Sequence, residues 1–140
     1  MSIGFDQLSV GASLPGQTFP LGRSDLVQYA GASGDFNPIH WSQETAVSVG
    51  LPNVIAHGML TMATAVRVVT DWIGDPGAVL DYGVRFTRPI VVEFDRPTDL
   101  EVSGTVRSMD EASRTAVIDL VASADGQTVL AKARVTVRLS

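Results

Sequence analysis

Apolar side chains dominate the stretch from Met59 to Ile73, interrupted by Arg67 and Asp71. Wound as a helix, they cover nearly its whole circumference, which predicts a helix enclosed by other structure. Gly74 and Pro76 end it. The run falls short of the ~20 apolar residues that cross a bilayer, so no membrane insertion is expected. Upstream, Ser24 followed by Asp25 predicts the N-cap and first turn of a shorter helix that ends near Gly31 or Gly34. Another short helix is expected from Ser42 to Gly50, just before Pro52, and Gly34 to Trp41 reads as loop.

Beyond Pro76 the helical period gives way to alternation: Val84 and Phe86, Val102 to Val106, Val117 to Val121, and Val129 to Leu139. These segments predict strands. Turn residues at Asp110 to Ser113 and at Asp125-Gly126 separate the last three, which predicts an antiparallel meander. Helices first and strands later, with one helix apolar nearly all round, predict an α+β fold: a single domain over 1–140 with an antiparallel sheet curled about a central helix. Such a sheet leaves an edge to be covered or paired. Charged residues make up only 18% of the chain, below the roughly 25% usual in soluble domains. A surface so sparing of charge favours edge pairing between subunits, hence a dimer.

Ten Lys+Arg against fifteen Asp+Glu give a net charge of −5. This balance, without a basic cluster, excludes a nucleic-acid binder that works through phosphates. With no cysteine and only His40 and His57, neither a thiolate nor an imidazole-rich metal site is expected, and no cofactor is called for. The beginning of the chain, MSIGFDQLSV, lacks the order of a signal peptide, so a cytoplasmic location is expected.

The polar oddities gather in YAGASGDFNPIH, residues 29–40. On a regular helix the five-residue step from Asp35 to His40 leaves the two side chains about 140° apart. Pro38 forbids that helix and turns the backbone, and a turn can make them converge. Asn37 adds an amide able to hold the loop or the carboxylate. A carboxylate beside an imidazole is an acid/base pair suited to neutral pH; alternatively, Asp35 caps the loop and His40 is a satisfied, partly buried residue. At the start of the apolar helix, IAHGML (55–60) gathers free N–H groups suited to a carbonyl oxygen that becomes negative, and Gly58 leaves the backbone open to a substrate. His57 is expected to be structural there rather than catalytic, with a substrate contact also considered. Arg85 and Arg88 could meet phosphates of a long substrate or form a solvated strand edge. Met59 and Met62 belong to the core or to the wall of an apolar channel. Thr61 and Thr64 read mainly as helix-packing hydroxyls.

At SGDFNPIH, HGML and VRFTRP the sequence resembles the MaoC-like (R)-specific enoyl hydratases of the hot dog fold, in order and spacing over essentially the whole chain. AHGMLTM and WIGDPGAVLDYGVRFT are closer still to the catalytic subunits of mycobacterial-type (3R)-hydroxyacyl-ACP dehydratases, which act with a related hot dog partner in the fatty acid elongation that leads to mycolic acids. The resemblance implies reversible addition of water across a trans-2-enoyl thioester carried on acyl carrier protein or coenzyme A. It implies Asp35 and His40 as the catalytic pair and Gly58 as backbone donor to the thioester carbonyl. Asn37, His57, Met59 and Arg85 become candidates for substrate contact, and a homodimer or heterodimer of hot dog subunits is implied. The alternatives are a homodimeric enoyl-CoA hydratase, a non-catalytic acyl-binding subunit, and a thioesterase of the same fold. Two departures stand out. Val66 occupies a position where many single-domain hydratases carry serine, and the stretch from Arg88 to Pro97 replaces a short Pro-Gly-Asp turn.

Overall fold

The computed structural model describes residues 2–140. Five antiparallel strands form one sheet: β1 (Ser13–Leu21), β2 (Val79–Phe86), β3 (Thr98–Asp110), β4 (Thr115–Ala124) and β5 (Gln127–Arg138), in the spatial order β1-β3-β4-β5-β2. The expected meander is β3-β4-β5, closed by the pairs Asp110↔Thr115 and Ala124↔Gln127. Asp125 and Gly126 both take positive φ, 50° and 73°. A two-residue hairpin turn whose twist matches the strands demands that conformation, and Asp-Gly supplies it. Alternate residues, Ala116, Ile118 and Leu120 in β4 and Ala133, Val135 and Val137 in β5, turn one face of the sheet into the core.

The central helix crosses that face as two pieces, α3 (Gly58–Ala65) and α4 (Arg67–Ile73), where the sequence predicts one. The break has a visible cause. The Tyr82 hydroxyl donates to the Met62 carbonyl at 2.8 Å, and Val66 N–H reaches that carbonyl only at 3.4 Å. Val69 and Thr70 N–H both return to the Val66 carbonyl, and the Thr64 hydroxyl takes the Leu60 carbonyl at 2.7 Å. Side chains that intrude on the helical ladder bend it. Burial pushes the Tyr82 hydroxyl up to about 12, so it remains a donor at any ordinary pH. Ala65, Val68, Val69 and Ile73 are enclosed, as predicted, in one continuous core with the sheet, but Met59 in the first turn is 57% exposed. Burial therefore begins one turn into α3.

Helix α1 (Arg23–Ser33) starts two residues earlier than expected, with Gly22 rather than Ser24 as N-cap. Asp25 still serves the terminus, its carboxylate accepting the Gly22 N–H at 2.8 Å. Gly34, at φ 80°, closes the helix in the left-handed region as predicted. Helix α2 (Gln43–Ser48) is capped by Ser42, whose hydroxyl oxygen accepts from Thr45 N–H. Strand β1 was not anticipated. Among the described residues no helix is long and apolar enough to cross a membrane.

Candidate active site

The chain between α1 and α2 is folded by its own short polar side chains. Ser33 Oγ accepts from Asp35 N–H at 3.1 Å, Asp35 Oδ1 from Asn37 N–H at 3.1 Å, and Asn37 Oδ1 from Ile39 N–H at 3.2 Å. Each of these bonds spans two residues, the geometry that Ser, Asp and Asn favour in turns. Pro38 opens a 3-10 turn over Pro38–His40. The result is the expected convergence: Asp35 Oδ2 stands 3.9 Å from His40 Nε2. Asp35 is 52% exposed on its side chain, whereas His40 is buried.

The opposite ring nitrogen of His40 lies 2.7 Å from the Ile55 carbonyl. A carbonyl only accepts, so Nδ1 carries the hydrogen and donates. In the neutral ring Nε2 then keeps its lone pair, on the side of the carboxylate. At 3.9 Å no direct bond links the two, and a water oxygen fits within hydrogen-bond reach of both.

His57, 1% exposed, is the N-cap of α3. Its Nε2–H donates to the Asp35 carbonyl at 3.1 Å, and its ring stacks on that of His40 with centroids 3.8 Å apart and planes 22° apart. Tyr29 covers it edge-on at 4.8 Å. Among the described residues His57 Nδ1 has no hydrogen-bond partner, and it is buried. Burial holds this imidazole below its ordinary value, against the pull of the Asp35 carbonyl bond. Considered as a substrate contact, His57 is withdrawn from the cleft: it is buried, its donor is committed to Asp35 and its ring is stacked on His40.

Within α3 the first backbone bond runs from Thr61 N–H to the His57 carbonyl, leaving the amides of Gly58, Met59 and Leu60 without helical partners. Gly58, His40, Thr61 and Phe86 line a cleft of about 300 Å³. The space a Gly58 side chain would fill is occupied by the Phe86 ring: a Cβ there would sit 3.1–3.3 Å from its carbons. Glycine thus admits Phe86 beside the helix terminus, a contact sequence reasoning missed. Only the alternation of Val84 with Phe86 pointed to it.

None of the four candidates for substrate contact, Asn37, His57, Met59 and Arg85, lines the cleft. Met59 is exposed and does not line it, and Arg85 lies with Lys132 and Arg134 on a different surface. Successive strand residues face opposite ways, so Phe86 in the cleft sends Arg85 elsewhere. Arg88 lines the cleft instead. The long segment 88–97 is no loose loop. Ala56 N–H donates to the Ile90 carbonyl and Val92 N–H to the Val54 carbonyl, both at 2.8 Å, laying the segment along the approach to α3. Arg23 fastens it from α1, with Nε donating to the Val92 carbonyl at 2.7 Å and Nη2 to Asn53 Oδ1 at 2.9 Å.

Asp35, His40 and His57 each offer a possible metal-ligand atom, all within 4.8 Å of one another. Imidazole lone pairs lie in the ring plane, and these planes are nearly parallel, so the two rings do not converge on one ion as they stand. The geometry suits proton transfer better.

The model of the MaoC like domain matches residues 8–124. The chain belongs to the MaoC-like domain family. A solved MaoC-like dehydratase superposes with a TM-score of 0.96 at 44% identity, over 99% of this chain and 43% of that one. The unliganded R-hydratase PhaJ1 from Pseudomonas aeruginosa gives 0.85 at 26% identity, over 99% and 86%. A 3-hydroxyacyl-thioester dehydratase X from Mycobacterium tuberculosis is 33% identical over 78 residues, which is 56% of this chain and 27% of the relative. This MaoC-like chain therefore spans less than half of the first solved structure and about a quarter of that relative. Its five-stranded sheet around a central helix is the hot dog fold.

Proposed function

We propose that this MaoC-like chain is a hydro-lyase that interconverts (3R)-hydroxyacyl and trans-2-enoyl thioesters. The observation that carries the proposal is the fixed His40 tautomer. With Nδ1–H bound to the Ile55 carbonyl, Nε2 faces Asp35 Oδ2 across a gap of 3.9 Å, beside a cleft that also takes the first turn of α3. The similarity to an R-hydratase and to a hydroxyacyl-thioester dehydratase supports the same reading.

In hydration, a water in that gap donates to Nε2 and to Oδ2, which turns an oxygen lone pair outward. As that oxygen bonds to C3 of the enoyl group, it gives up a proton to the pair. The C2–C3 π electrons move toward the thioester oxygen, where the Gly58 N–H at the positive end of α3 stabilises the enolate. C2 then takes a proton back from the pair. Dehydration runs the steps in reverse: His40 removes the C2 proton, and Asp35 assists protonation of the departing hydroxyl. Positioned acid/base groups of this kind typically contribute 10²–10⁴-fold in rate.

The whole chain, 1–140, is taken as one such unit, and its partner as a second hot dog subunit, either a copy or a relative. Among the described residues β1 and β2 are the two edges of the sheet, and the first solved structure is more than twice as long as this chain, with room for a second unit. The acyl group is taken as carried on acyl carrier protein, with coenzyme A the alternative. The test is turnover of trans-2-enoyl thioesters on both carriers, followed by loss of the enoyl absorbance, with the native mass of the complex measured alongside. Failure to hydrate either class, as purified or with a co-purified partner subunit, would sink the proposal.

A further inference from the structure

We infer that His57 is a positioning residue, one that fixes the distance between Asp35 and His40 by holding both at once; this rests on the reaction proposed above. Its Nε2–H ties the backbone of Asp35, and its ring is the surface on which His40 lies, 3.8 Å away and nearly parallel. The two residues of the pair therefore share one buried support at the start of α3. Tyr29 packs edge-on against the same ring, with centroids 4.8 Å apart.

Stability alone does not account for a histidine here. Nδ1 is buried with no partner among the described residues, an arrangement that an apolar ring of similar size would avoid. What an apolar ring lacks is the donor to Asp35, and what a flexible amide lacks is the flat face for His40. Only an imidazole held as the Nε2–H tautomer provides both. The groups facing it are the His40 ring, the Asp35 carbonyl and carboxylate, and the Tyr29 ring. A proton on His57 would put a second cation against His40 at the moment His40 takes up its own. A neutral support avoids this.

Two variants divide the functions. His57→Gln places an amide donor near Nε2 and removes the ring; His57→Phe keeps the ring and removes the donor. In each we expect kcat to fall about 10–10²-fold, as small misplacements of reacting groups do. KM should change less than threefold, the pH–rate profile should shift, and crystal structures should show the Asp35–His40 separation altered. A folded variant that keeps kcat within twofold of the parent, with the same pH profile, overturns the inference. Should neither variant fold, nitrogen-15 NMR of the unaltered protein decides: a hydrogen resident on Nε2 of His57 sustains the inference, and one on Nδ1 overturns it. An unaltered protein that turns over no enoyl thioester would defeat the proposed reaction. The tautomer and the pair distance in the variants would still judge the clamp.

Discussion

His40 Nδ1–H donates to the Ile55 carbonyl at 2.7 Å, and this one bond decides which nitrogen of the ring does chemistry. Ile55 lies just ahead of α3, so the segment that leads into Gly58 at the cleft also sets the proton on the base. Replacing His40 with glutamine should reduce turnover by about 10²–10⁴-fold and, because the half-buried Ile55 carbonyl loses its donor, lower stability by about 1 kcal/mol. Asp35→Asn keeps an oxygen for the Asn37 N–H on an exposed side chain, so its stability should stay within about 0.5 kcal/mol while activity drops as far. Turnover assays paired with urea unfolding would separate the two; an Asp35→Asn protein of near-normal activity would contradict the mechanism.

Acid should destabilise the protein through His57. Burial, reinforced by His40, lowers its proton affinity, while the bond to the Asp35 carbonyl and the Asp35 charge oppose the shift without cancelling it. Above the ordinary value of 6.5 the imidazole is neutral in both folded and unfolded chains and contributes nothing. Below it the unfolded chain takes a proton that the folded chain refuses, so stability falls as pH falls toward the lowered folded value. Urea unfolding from about pH 7.5 to 5 should show this slope in the unaltered protein and a shallower one in His57→Gln. Parallel curves would refute the assignment.

Gly58→Ala should separate stability from function. Alanine at the first helical position is favoured over glycine by up to about 1 kcal/mol, and Phe86, 51% exposed, can yield the few tenths of an ångström that a Cβ requires. The melting point should therefore barely move. The displaced ring enters the cleft beside His40, and kcat/KM should fall at least about tenfold, as sub-ångström misplacement in a catalytic site predicts. Gly58→Ala combined with Phe86→Leu should recover part of that loss. An inert single variant would show that Phe86 does not shape the substrate's space.

What the sequence disclosed and what it hid divide along physical lines. The meander was legible because alternation and Asp-Gly are local signals, and the convergence of Asp35 with His40 because Pro38 forbids the helix that would part them. Strand β1 was hidden because Pro15, Gly16 and Pro20 interrupt its pattern. Its place at the sheet edge, with a bulge between Leu14 and Gln17, is what tolerates them. The break at Val66 was invisible because its cause, the hydroxyl of Tyr82, arrives from a distant strand. Asn37 emerged as a loop holder because its side-chain oxygen accepts from Ile39 N–H. The role of His57 likewise depends on what folding stacks against it.

The segment 88–97 offers the last test. In the stretch that replaces a short turn, Val92 is fully buried and its carbonyl is held by Arg23. Arg23 is itself only partly exposed and makes two hydrogen bonds to different segments, one of them to Asn53 ahead of α3. Bonds from a charged donor contribute about 1.5–3 kcal/mol each, and they do not add fully. Arg23→Ala should therefore cost about 2–4 kcal/mol and speed amide exchange at Val92 and Ala56, whose N–H groups pair this segment with 54–56. Arg23→Lys has one point-like donor in place of a planar fork and should recover less than half of the loss. Because Arg88 and Pro89 line the cleft at the near end of the same segment, KM should rise in the alanine variant while kcat changes little. Unchanged exchange at Val92 in Arg23→Ala would mean that the backbone pairing to 54–56 secures the rim without the guanidinium.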